Sequence, residues 1–282
     1  MSVKGKIAFQ GELGANSDEA CRTYYPDYEP TPCATFEEAF EAMKSGACQL
    51  GMIPVENSIV GRIADVHHLL PDSGLKIVGE KFKPISFHLM ANRGVKLEDV
   101  KTVASMAVAL GQCRRSLKRL NVRTEAVGDT AGAAKSLAEH PDPARAAISP
   151  ALAAEIYGLD ILLRDIEDEQ HNTTRFLVMT GDKKPPRPPF TEQCITAFVF
   201  RVRNVPAALY KAMGGFATNG VNMTKLESYM EGGSFNATMF YAEVEGRPED
   251  RGLALAFEEL RFFSDHVEEL GVFPADPFRT RG

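Results

Sequence analysis

Two hydroxyls and a guanidinium stand on consecutive residues at Thr173, Thr174 and Arg175, directly before an apolar run. That run, residues 176–179, reads FLVM and is typical of a buried strand. Successive strand residues point to opposite faces, so Thr174 and Phe176 should share one face and Arg175 should occupy the other. Polar groups at the tip of a rigid strand can hold a small anion in a defined orientation. The four letters TTRF alone prove little, because strand ends often carry a threonine and an exposed arginine.

A second polar group follows the buried strand predicted at residues 50–55, where Glu56, Asn57 and Ser58 stand in a row. Side chains at the carboxyl end of a parallel strand are well placed to contact a ligand. The alternative is a loop whose asparagine and serine satisfy their own backbone, which is common. The segment alone leaves both interpretations open.

Two further segments combine a helix start with small or polar residues. Residues 11–20, GELGANSDEA, place Ala15 and Ser17 after the first predicted strand, with Ser17 as the helix N-cap. Such a turn either presents N–H groups to an anion or is an ordinary connection; it lacks GxGxxG and GK[ST], so nucleotide phosphate is not expected. Ser105 and Gln112 should start a helix and lie two turns along it on one face. Either both residues contact a ligand, or Ser105 caps the helix and Gln112 is solvated.

Composition limits the class of protein. The 282 residues are 44% hydrophobic and 25% charged, which is ordinary for a globular chain of two or three domains. A net charge of −6 without a dense basic run argues against a nucleic-acid partner. The start lacks the apolar block of a signal peptide, and apolar runs such as residues 103–110 are too short to span a membrane. Five cysteines without CxxC spacing indicate reduced thiols, and we expect a cytoplasmic location.

The chain before residue 181 alternates strands and helices, which predicts the α/β class with mostly parallel sheets, in two lobes with a ligand cleft between them. The expected strands are residues 6–9, 50–55, 76–82, 85–91, 103, 123–126 and 146–148. The expected helices are residues 17–24, 35–44, 63–70, 107–120, 129–138 and 150–157. Thr35 and Glu38 have the spacing of a capping box.

A stiff linker follows, because residues 181–189, GDKKPPRPP, contain four prolines and no apolar periodicity. Beyond it, strands are expected at residues 194–201, 221–228, 235–244 and 267–273, and helices at residues 207–217 and 253–263. The order βαββαβ is that of a ferredoxin-like module. Such a small module commonly pairs its edges or helices with a second copy.

Taken together, these segments resemble the prephenate dehydratase family over nearly the whole chain. The family's first block is similar to residues 7–20, and its second block is matched at residues 53–61, IPVENSIVG. TAGAA at residues 130–134 resembles its threonine-alanine helix start, and YGL at residues 157–159 its usual lead-in. Asn172, Thr174, Arg175 and Phe176 match its Asn-x-Thr-Arg-Phe signature. The module after the linker resembles an ACT domain, with LESYM at residues 226–230 as a partial match to its ligand motif.

The sequence departs from the family pattern at two places. Where the family has Ser-His-Pro-Gln-Ala-Leu, residues 105–110 read SMAVAL, so only the serine and the later Gln112 remain to be assigned. The ACT motif Glu-Ser-Arg-Pro is replaced by Glu227, Ser228, Tyr229 and Met230, and its Gly-Ala-Leu block by residues 206–209, PAAL. These changes bear on the identity and affinity of an effector.

The resemblance implies a two-lobed, periplasmic-binding-protein-like catalytic region at residues 1–182, a linker at 183–191 and an ACT regulatory domain at 192–282. The lobes would comprise about residues 1–80 with 170–182, and about 81–169. The implied reaction converts prephenate to phenylpyruvate with loss of carbon dioxide and water. Formation of the aromatic ring supplies the driving force, so we expect no cofactor and no metal.

The resemblance also implies the site residues. Thr174 would be the acid or hydrogen-bond donor to the departing hydroxyl, and Arg175 would bind a substrate carboxylate or pair with Glu56. The expected substrate-binding set is Ala15, Ser17, Asn57, Ser58, Ser105, Gln112, Thr130, Thr173, Arg175 and Phe176, with Phe176 packing on the cleft wall. Phenylalanine would be the effector, in a homodimer or homotetramer formed through the ACT domain. Its expected contacts are Ala207, Ala208, Leu209, Asn219, Val221, Asn222, Leu226, Glu227 and Ser228.

Two alternatives remain open. A two-lobed binding protein fused to an amino-acid-binding module would be a sensor without enzymatic activity, since one fold hosts many functions. The TTRF and PVENS blocks argue against it. An arogenate dehydratase would perform the same elimination on an aminated substrate, and no residue in the sequence separates it from a prephenate dehydratase.

Overall fold

The structure is a computed structural model that describes residues 3–190, 192–203, 205–230 and 237–280. It divides into two compact units, one of Met1–Val66 with Phe82–Phe176 and the other of His67–Lys81 with Leu177–Gly282. The expected α/β class is confirmed, with two sheets before the linker and one after it. No helix of the described residues is long and apolar enough to cross a membrane.

The first sheet has the strand order β2-β1-β3-β11-β5, with β4 paired to β3. Its strands are Gly5–Gln10 (β1), Tyr28–Cys33 (β2), Leu50–Asn57 (β3), Gly61–Arg62 (β4), Lys76–Pro84 (β5) and Thr173–Thr180 (β11). The helices between them are Asn16–Tyr24 (α1), Phe36–Lys44 (α2) and Ala64–Leu69 (α3). The strand β1 is parallel to both of its neighbours, as the sequence predicts.

The second sheet has the order β10-β6-β9-β7-β8. Its strands are His88–Ala91 (β6), Thr102–Met106 (β7), Arg123–Val127 (β8), Arg145–Ser149 (β9) and Asp160–Leu163 (β10). Its helices are Ala107–Gln112 (α4), Arg114–Leu120 (α5), Thr130–Glu139 (α6) and Ala151–Tyr157 (α7), and a short 3-10 helix covers Leu97–Asp99. Its two faces are buried under separate apolar clusters, one around Phe87 and Ile148 and the other around Met90 and Ala134.

Several expectations for these lobes are wrong. The sequence did not predict β2 because Pro30 and Pro32 interrupt it, and prolines are tolerated there since β2 is an edge strand. It also missed the four-residue strand β10. The second sheet is mixed, because β6 runs antiparallel to both β9 and β10. The single helix expected at residues 107–120 is two helices that meet at the buried, non-helical Cys113.

Two helix starts also differ from expectation, whereas a third is confirmed. The helix α1 begins at Asn16 with Ala15 as N-cap, so Ser17 is not the N-cap; Asp18 in the first turn accepts the backbone N–H of Gly14 at 2.8 Å. Ser105 lies at the end of strand β7 and not at the start of a helix. The Thr35 N-cap of α2 is confirmed, because the Thr35 side chain accepts the backbone N–H of Glu38, whereas the Glu38 carboxylate accepts the N–H of Ala34 and not that of Thr35.

The third sheet has the ferredoxin-like order β13-β14-β12-β15 and is antiparallel throughout. Its elements are Cys194–Val202 (β12), Ala208–Thr218 (α8), Met223–Met230 (β13), Ala237–Glu245 (β14), Arg251–Phe263 (α9) and Ser264–Pro274 (β15), followed by a 3-10 helix at Pro277–Thr280. The expected βαββαβ order is therefore confirmed, although the start expected at residue 235 lies outside the described residues.

The two faces of this sheet have different neighbours. Phe198, Phe200 and Phe240 point to the helix side, where they pack with residues of α8 and α9. The opposite face lies against residues 67–81: a Cβ at Gly271 would collide with the Ile77 backbone. The fully buried Glu80 accepts two hydrogen bonds from Arg279, at 2.6 and 2.9 Å. Residues 67–81 thus form an additional layer of this unit.

Candidate active site

Asn57 stands at the carboxyl end of β3 and organises the loop that follows. Its Oδ1 accepts the backbone N–H groups of Ile59 and Val60, at 3.0 and 3.1 Å. These two donors fix the orientation of the amide, because only a carbonyl oxygen can accept them. The Asn57 Nδ2 therefore points away from the loop as a donor.

The acceptors of this donor lie at and just before the start of β11. The Asn57 Nδ2 lies 2.7 Å from the Asn172 Oδ1 and 3.0 Å from the Thr174 Oγ1. Ser58 makes a second connection: its hydroxyl donates to the His171 carbonyl at 2.6 Å and accepts the Thr173 N–H at 2.9 Å. The ends of the neighbouring strands β3 and β11 are thus joined by the side chains of Asn57 and Ser58.

Gln112, a residue of the second lobe, contacts these side chains. It is the last residue of α4, and its Oε1 accepts a hydrogen bond from the Asn172 Nδ2 at 3.2 Å. The Gln112 Nε2 is buried and has no hydrogen-bond partner among the described residues. An unpaired buried donor is costly, and a bound polar molecule is one way to satisfy it. The four side chains of Asn57, Gln112, Asn172 and Thr174 form what we call the amide cluster.

Arg175 lies on the other side of β11, as strand alternation requires. Its side chain is 4% exposed, and its Nη1 donates to the Glu56 Oε1 at 2.9 Å. The guanidinium also lies over the Phe82 ring, 5.8 Å from the ring centre. The ion pair with Glu56 was one of the two roles expected for Arg175. Phe176 is buried in the core, in agreement with a packing role.

The structure does not bring the other expected residues into the amide cluster. Ser105 is fully buried and donates to the Ile148 carbonyl at 2.7 Å, which holds β7 against β9. Thr130 is buried at the first position of α6, where its hydroxyl lies 3.4 Å from the Asp129 Oδ1. Ala15 and Ser17 are buried at the start of α1. Substrate contacts by these four residues stay predictions.

The residues expected to bind an effector lie around α8 and β13. Ala207 is the N-cap of α8 with a positive φ of 61°, and Ala208 and Leu209 follow it. Asn219 ends that helix and bonds back to the Gly215 carbonyl at 2.8 Å. Val221 and Asn222 precede β13, which carries Leu226, Glu227 and Ser228. Their contact with an effector stays a prediction.

Asn172 is the member of the amide cluster that was not expected to bind substrate. It donates to Gln112 and accepts from Asn57, so it connects the two lobes. The sequence did indicate a role for Asn172, since this residue is the first of the Asn-x-Thr-Arg-Phe pattern. The described residues contain no group of three potential metal ligands of the His, Cys, Asp or Glu type.

Two α/β lobes that meet at a partly buried cluster of amides and a hydroxyl are typical of proteins that bind a small polar molecule between the lobes. Comparison with family models matches residues 7–184 to prephenate dehydratase. The chain is 47% identical, over 98% of both chains, to a bifunctional N-acyl-homoserine lactone acylase/prephenate dehydratase of Komagataeibacter europaeus. It is 36% identical to arogenate dehydratase/prephenate dehydratase 2 of Arabidopsis thaliana, over 96% of this chain and 73% of that one.

A comparison with solved structures supports the same family. A prephenate dehydratase from Arthrobacter aurescens in complex with L-Phe is 28% identical, with a TM-score of 0.87 over 96% of this chain and 90% of that one. The chain therefore belongs to the prephenate dehydratase family. Its reaction is the decarboxylating dehydration of prephenate to phenylpyruvate, a step of phenylalanine biosynthesis.

Proposed function

We propose that the amide cluster is where prephenate reacts and that Thr174 donates the hydrogen bond to the departing hydroxyl. Breaking the ring–carboxylate bond sends two electrons through the cyclohexadiene, and these electrons expel the hydroxyl on the opposite ring carbon. Carbon dioxide leaves, hydroxide takes up a proton as water, and the ring becomes aromatic. The protein's task is to hold a dianion and to stabilise the leaving oxygen.

One observation supports this role for Thr174. Its Oγ1 accepts the Asn57 amide, and this is its only side-chain hydrogen bond among the described residues. The hydroxyl proton is therefore available for the leaving oxygen. Because a threonine hydroxyl is a weak acid, we assign it stabilisation of the departing hydroxide. A turnover assay with the Thr174→Ala protein, set against its substrate affinity, tests the assignment.

The remaining cluster residues have binding or positioning roles in this proposal. The Gln112 Nε2 donates to a substrate oxygen, because it is a buried donor that the described residues leave unpaired. Ser58 positions residues 171–173 through its two hydrogen bonds. Arg175 keeps the start of β11 in place through Glu56, and its charge favours binding of an anion nearby. Isothermal titration of prephenate against Gln112→Glu tests the donor role, because a carboxylate there should weaken binding.

The preference for prephenate over arogenate as a second possible substrate is part of the proposal. The two substrates differ only in the side chain, which carries a keto group in prephenate and an ammonium group in arogenate. Relatives with both names match the chain over most of its length. The test compares kcat/KM for the two substrates on purified protein; a higher value for arogenate would reverse the assignment.

We also propose that residues 192–282 are an ACT domain, that residues 1–182 are the catalytic region and that phenylalanine is the effector. The ferredoxin-like strand order supports the first point, and the L-Phe complex of a relative supports the last. A homodimer or homotetramer would place the effector between two copies, in a cytoplasmic enzyme. Titration calorimetry with L-phenylalanine, with D-phenylalanine as control, tests effector binding. Light scattering with and without L-phenylalanine tests assembly.

A second candidate activity is hydrolysis of N-acyl-homoserine lactones. The Komagataeibacter europaeus relative carries that name, and two pairs of exposed apolar side chains belong to the segments that supply the amide cluster. Ile59 and Val60 follow Asn57 and Ser58, and Met106 and Val108 lie one to two turns before Gln112. Such side chains offer an acyl chain an apolar surface. Incubation with an N-acyl-homoserine lactone should release the fatty acid; absence of release would reject this activity without affecting the dehydratase.

A further inference from the structure

A buried histidine and a buried tyrosine meet between helix α3 and strand β13. The Nδ1 of His67 lies 3.1 Å from the Tyr229 hydroxyl, and the two ring centres are 6.4 Å apart. His67 is 2% exposed and Tyr229 is 9% exposed. A hydrogen bond between two buried side chains is costly to break, because neither group can turn to water instead. The pair therefore fixes the position of α3 relative to β13.

The neighbours of His67 make this contact rigid. The ring of Tyr241, on the adjacent strand β14, lies edge-on to His67 with 6.2 Å between centres. The Tyr241 hydroxyl donates to the fully buried Glu243 at 2.6 Å, and Glu243 accepts Arg279 at 2.8 Å. Arg279 also bonds Glu80, so a polar chain joins Tyr241 to Glu80, and the ring contact with His67 connects that chain to β13. Small displacements in such networks are propagated because each member is held by the next.

Tyr229 is directly linked to the proposed effector residues. Along β13 the side chains of Leu226, Ser228 and Met230 are exposed, whereas Tyr229 points to the buried face. Tyr229 follows Ser228 in the chain, so a ligand that moves Ser228 also moves the Tyr229 backbone. The ACT motif of the family carries arginine at this position, so the tyrosine contact belongs to this chain.

His67 is linked in turn to the amide cluster. The helix α3 that carries it follows β4, and β4 is paired with the end of β3 through Glu56–Arg62 and Asn57–Gly61. Asn57 is the residue that holds Thr174. Only one strand pair and the first turn of α3 therefore separate His67 from the amide cluster along the chain.

We propose that the His67–Tyr229 hydrogen bond transmits phenylalanine binding on β13 to the amide cluster, with Tyr229 and His67 acting as positioning residues. The inference rests on the proposed effector site. Phenylalanine inhibits only if it binds one position of β13 better than another, and α3 must follow β13 for that preference to reach Asn57. Removing the hydrogen bond uncouples these two steps and leaves each of them intact.

The test separates binding from inhibition in full-length Tyr229→Phe, which removes one oxygen and keeps the ring. L-phenylalanine should bind this variant as it binds wild type, by calorimetry, and activity without effector should be unchanged. The ratio of activities without and with saturating L-phenylalanine should fall roughly fivefold or more, the lower range of allosteric couplings. Tyr210→Phe, at an exposed position of α8 in the same unit, is the matched control and should keep the wild-type ratio.

His67→Phe provides the second variant and should give the same loss. In a double-mutant cycle the combined variant should lose no more inhibition than either single one, since both remove one interaction. Additive losses, or full inhibition in Tyr229→Phe, would overturn the inference while leaving phenylalanine as the effector. Absence of L-phenylalanine binding to wild type would instead reject the effector site, and the inference with it.

Discussion

The side-chain amide of Asn57 donates to the hydroxyl of Thr174 over 3.0 Å, and the direction of this bond is fixed. Two backbone N–H groups already hold the Asn57 Oδ1, so only its Nδ2 can face Thr174. The threonine oxygen accepts, and its own proton points elsewhere. Asn57 therefore orients the Thr174 hydroxyl as a hydrogen-bond donor. A general base in its place would instead accept the hydroxyl proton.

Thr174→Ala should lower kcat by about a hundredfold or more and leave KM little changed, because the lost donor acts mainly on the transition state. Steady-state kinetics with prephenate measure both constants. Thr174→Ser retains the hydroxyl and should retain more activity than alanine. Near-normal turnover in a folded Thr174→Ala protein would remove Thr174 from the catalytic role.

Asn57→Asp keeps nearly the same side-chain shape and should reverse the direction of the hydrogen bond between residue 57 and Thr174. A carboxylate only accepts, so the Thr174 proton would turn to residue 57 and away from the leaving oxygen. We expect kcat to fall roughly tenfold to a hundredfold, the range of a lost proton-donor contribution. Asn121→Asp, at an exposed helix end, makes the same chemical change and should behave as wild type. Equal activity of the two variants would contradict the orienting role of Asn57.

Two members of the amide cluster, Asn57 and Thr174, were predictable because each flanks an apolar strand. PVENS ends one apolar run and TTRF begins another, and the strands β3 and β11 that contain them lie side by side, so the Asn57 amide reaches Thr174. Gln112 was assigned through the family resemblance, because its helix position alone left a solvated glutamine open. The bridge through Asn172 was not predicted, because it requires both lobes to contribute to one hydrogen-bond chain.

Other features had no local signal. The prolines of β2 indicate a loop, and the strand is possible only because β2 lies at the edge of its sheet. The position of Ser105 indicates a helix cap, whereas its hydroxyl donates to the Ile148 carbonyl. The contact between His67 and Tyr229 joins residues far apart in sequence. Neither a pattern of period two nor one of 3.6 residues predicts which distant side chain will cover a sheet face.

Glu56→Gln should destabilise the fold, because the buried Arg175 would lose the negative charge of Glu56, with which it pairs at 2.9 Å. We expect the free energy of unfolding to fall by roughly 2 kcal/mol, the scale of a hydrogen bond between charged groups. Urea denaturation measures the loss. Glu169→Gln breaks the exposed Arg115–Glu169 pair and should cost about 0.5 kcal/mol or less. Similar losses in both variants would show that burial of Arg175 does not matter.

Chelation should leave the reaction unaffected, because elimination with aromatisation needs a hydrogen-bond donor and no Lewis acid in the mechanism proposed for Thr174. Purified protein dialysed against a strong chelator should keep its kcat and KM for prephenate. The decisive comparison adds zinc or magnesium back to the dialysed sample. Activity that chelation removes and metal restores would reveal a site that the sequence did not predict.

His88 should make the fold sensitive to mild acid. Burial lowers the pKa of His88 below its ordinary value, and Arg164 acts in the same direction, against the opposing charges of Asp165, Glu167 and Glu19. The neutral ring has a structural use, because its Nδ1 accepts the backbone N–H of Asp165 at 3.1 Å. A protonated Nδ1 could not accept that bond. The native state therefore favours the neutral form.

The sign of the pH effect follows from proton counting. Between the lowered native pKa of His88 and the ordinary value of about 6.5, the unfolded chain binds more protons, so stability falls as pH falls. In His88→Asn the Oδ1 can accept in place of Nδ1 without titrating. Urea denaturation from about pH 7.5 to about pH 5 should show a steeper loss of stability in wild type than in this variant. Parallel curves would mean that the imidazole of His88 is not what makes the fold acid-sensitive.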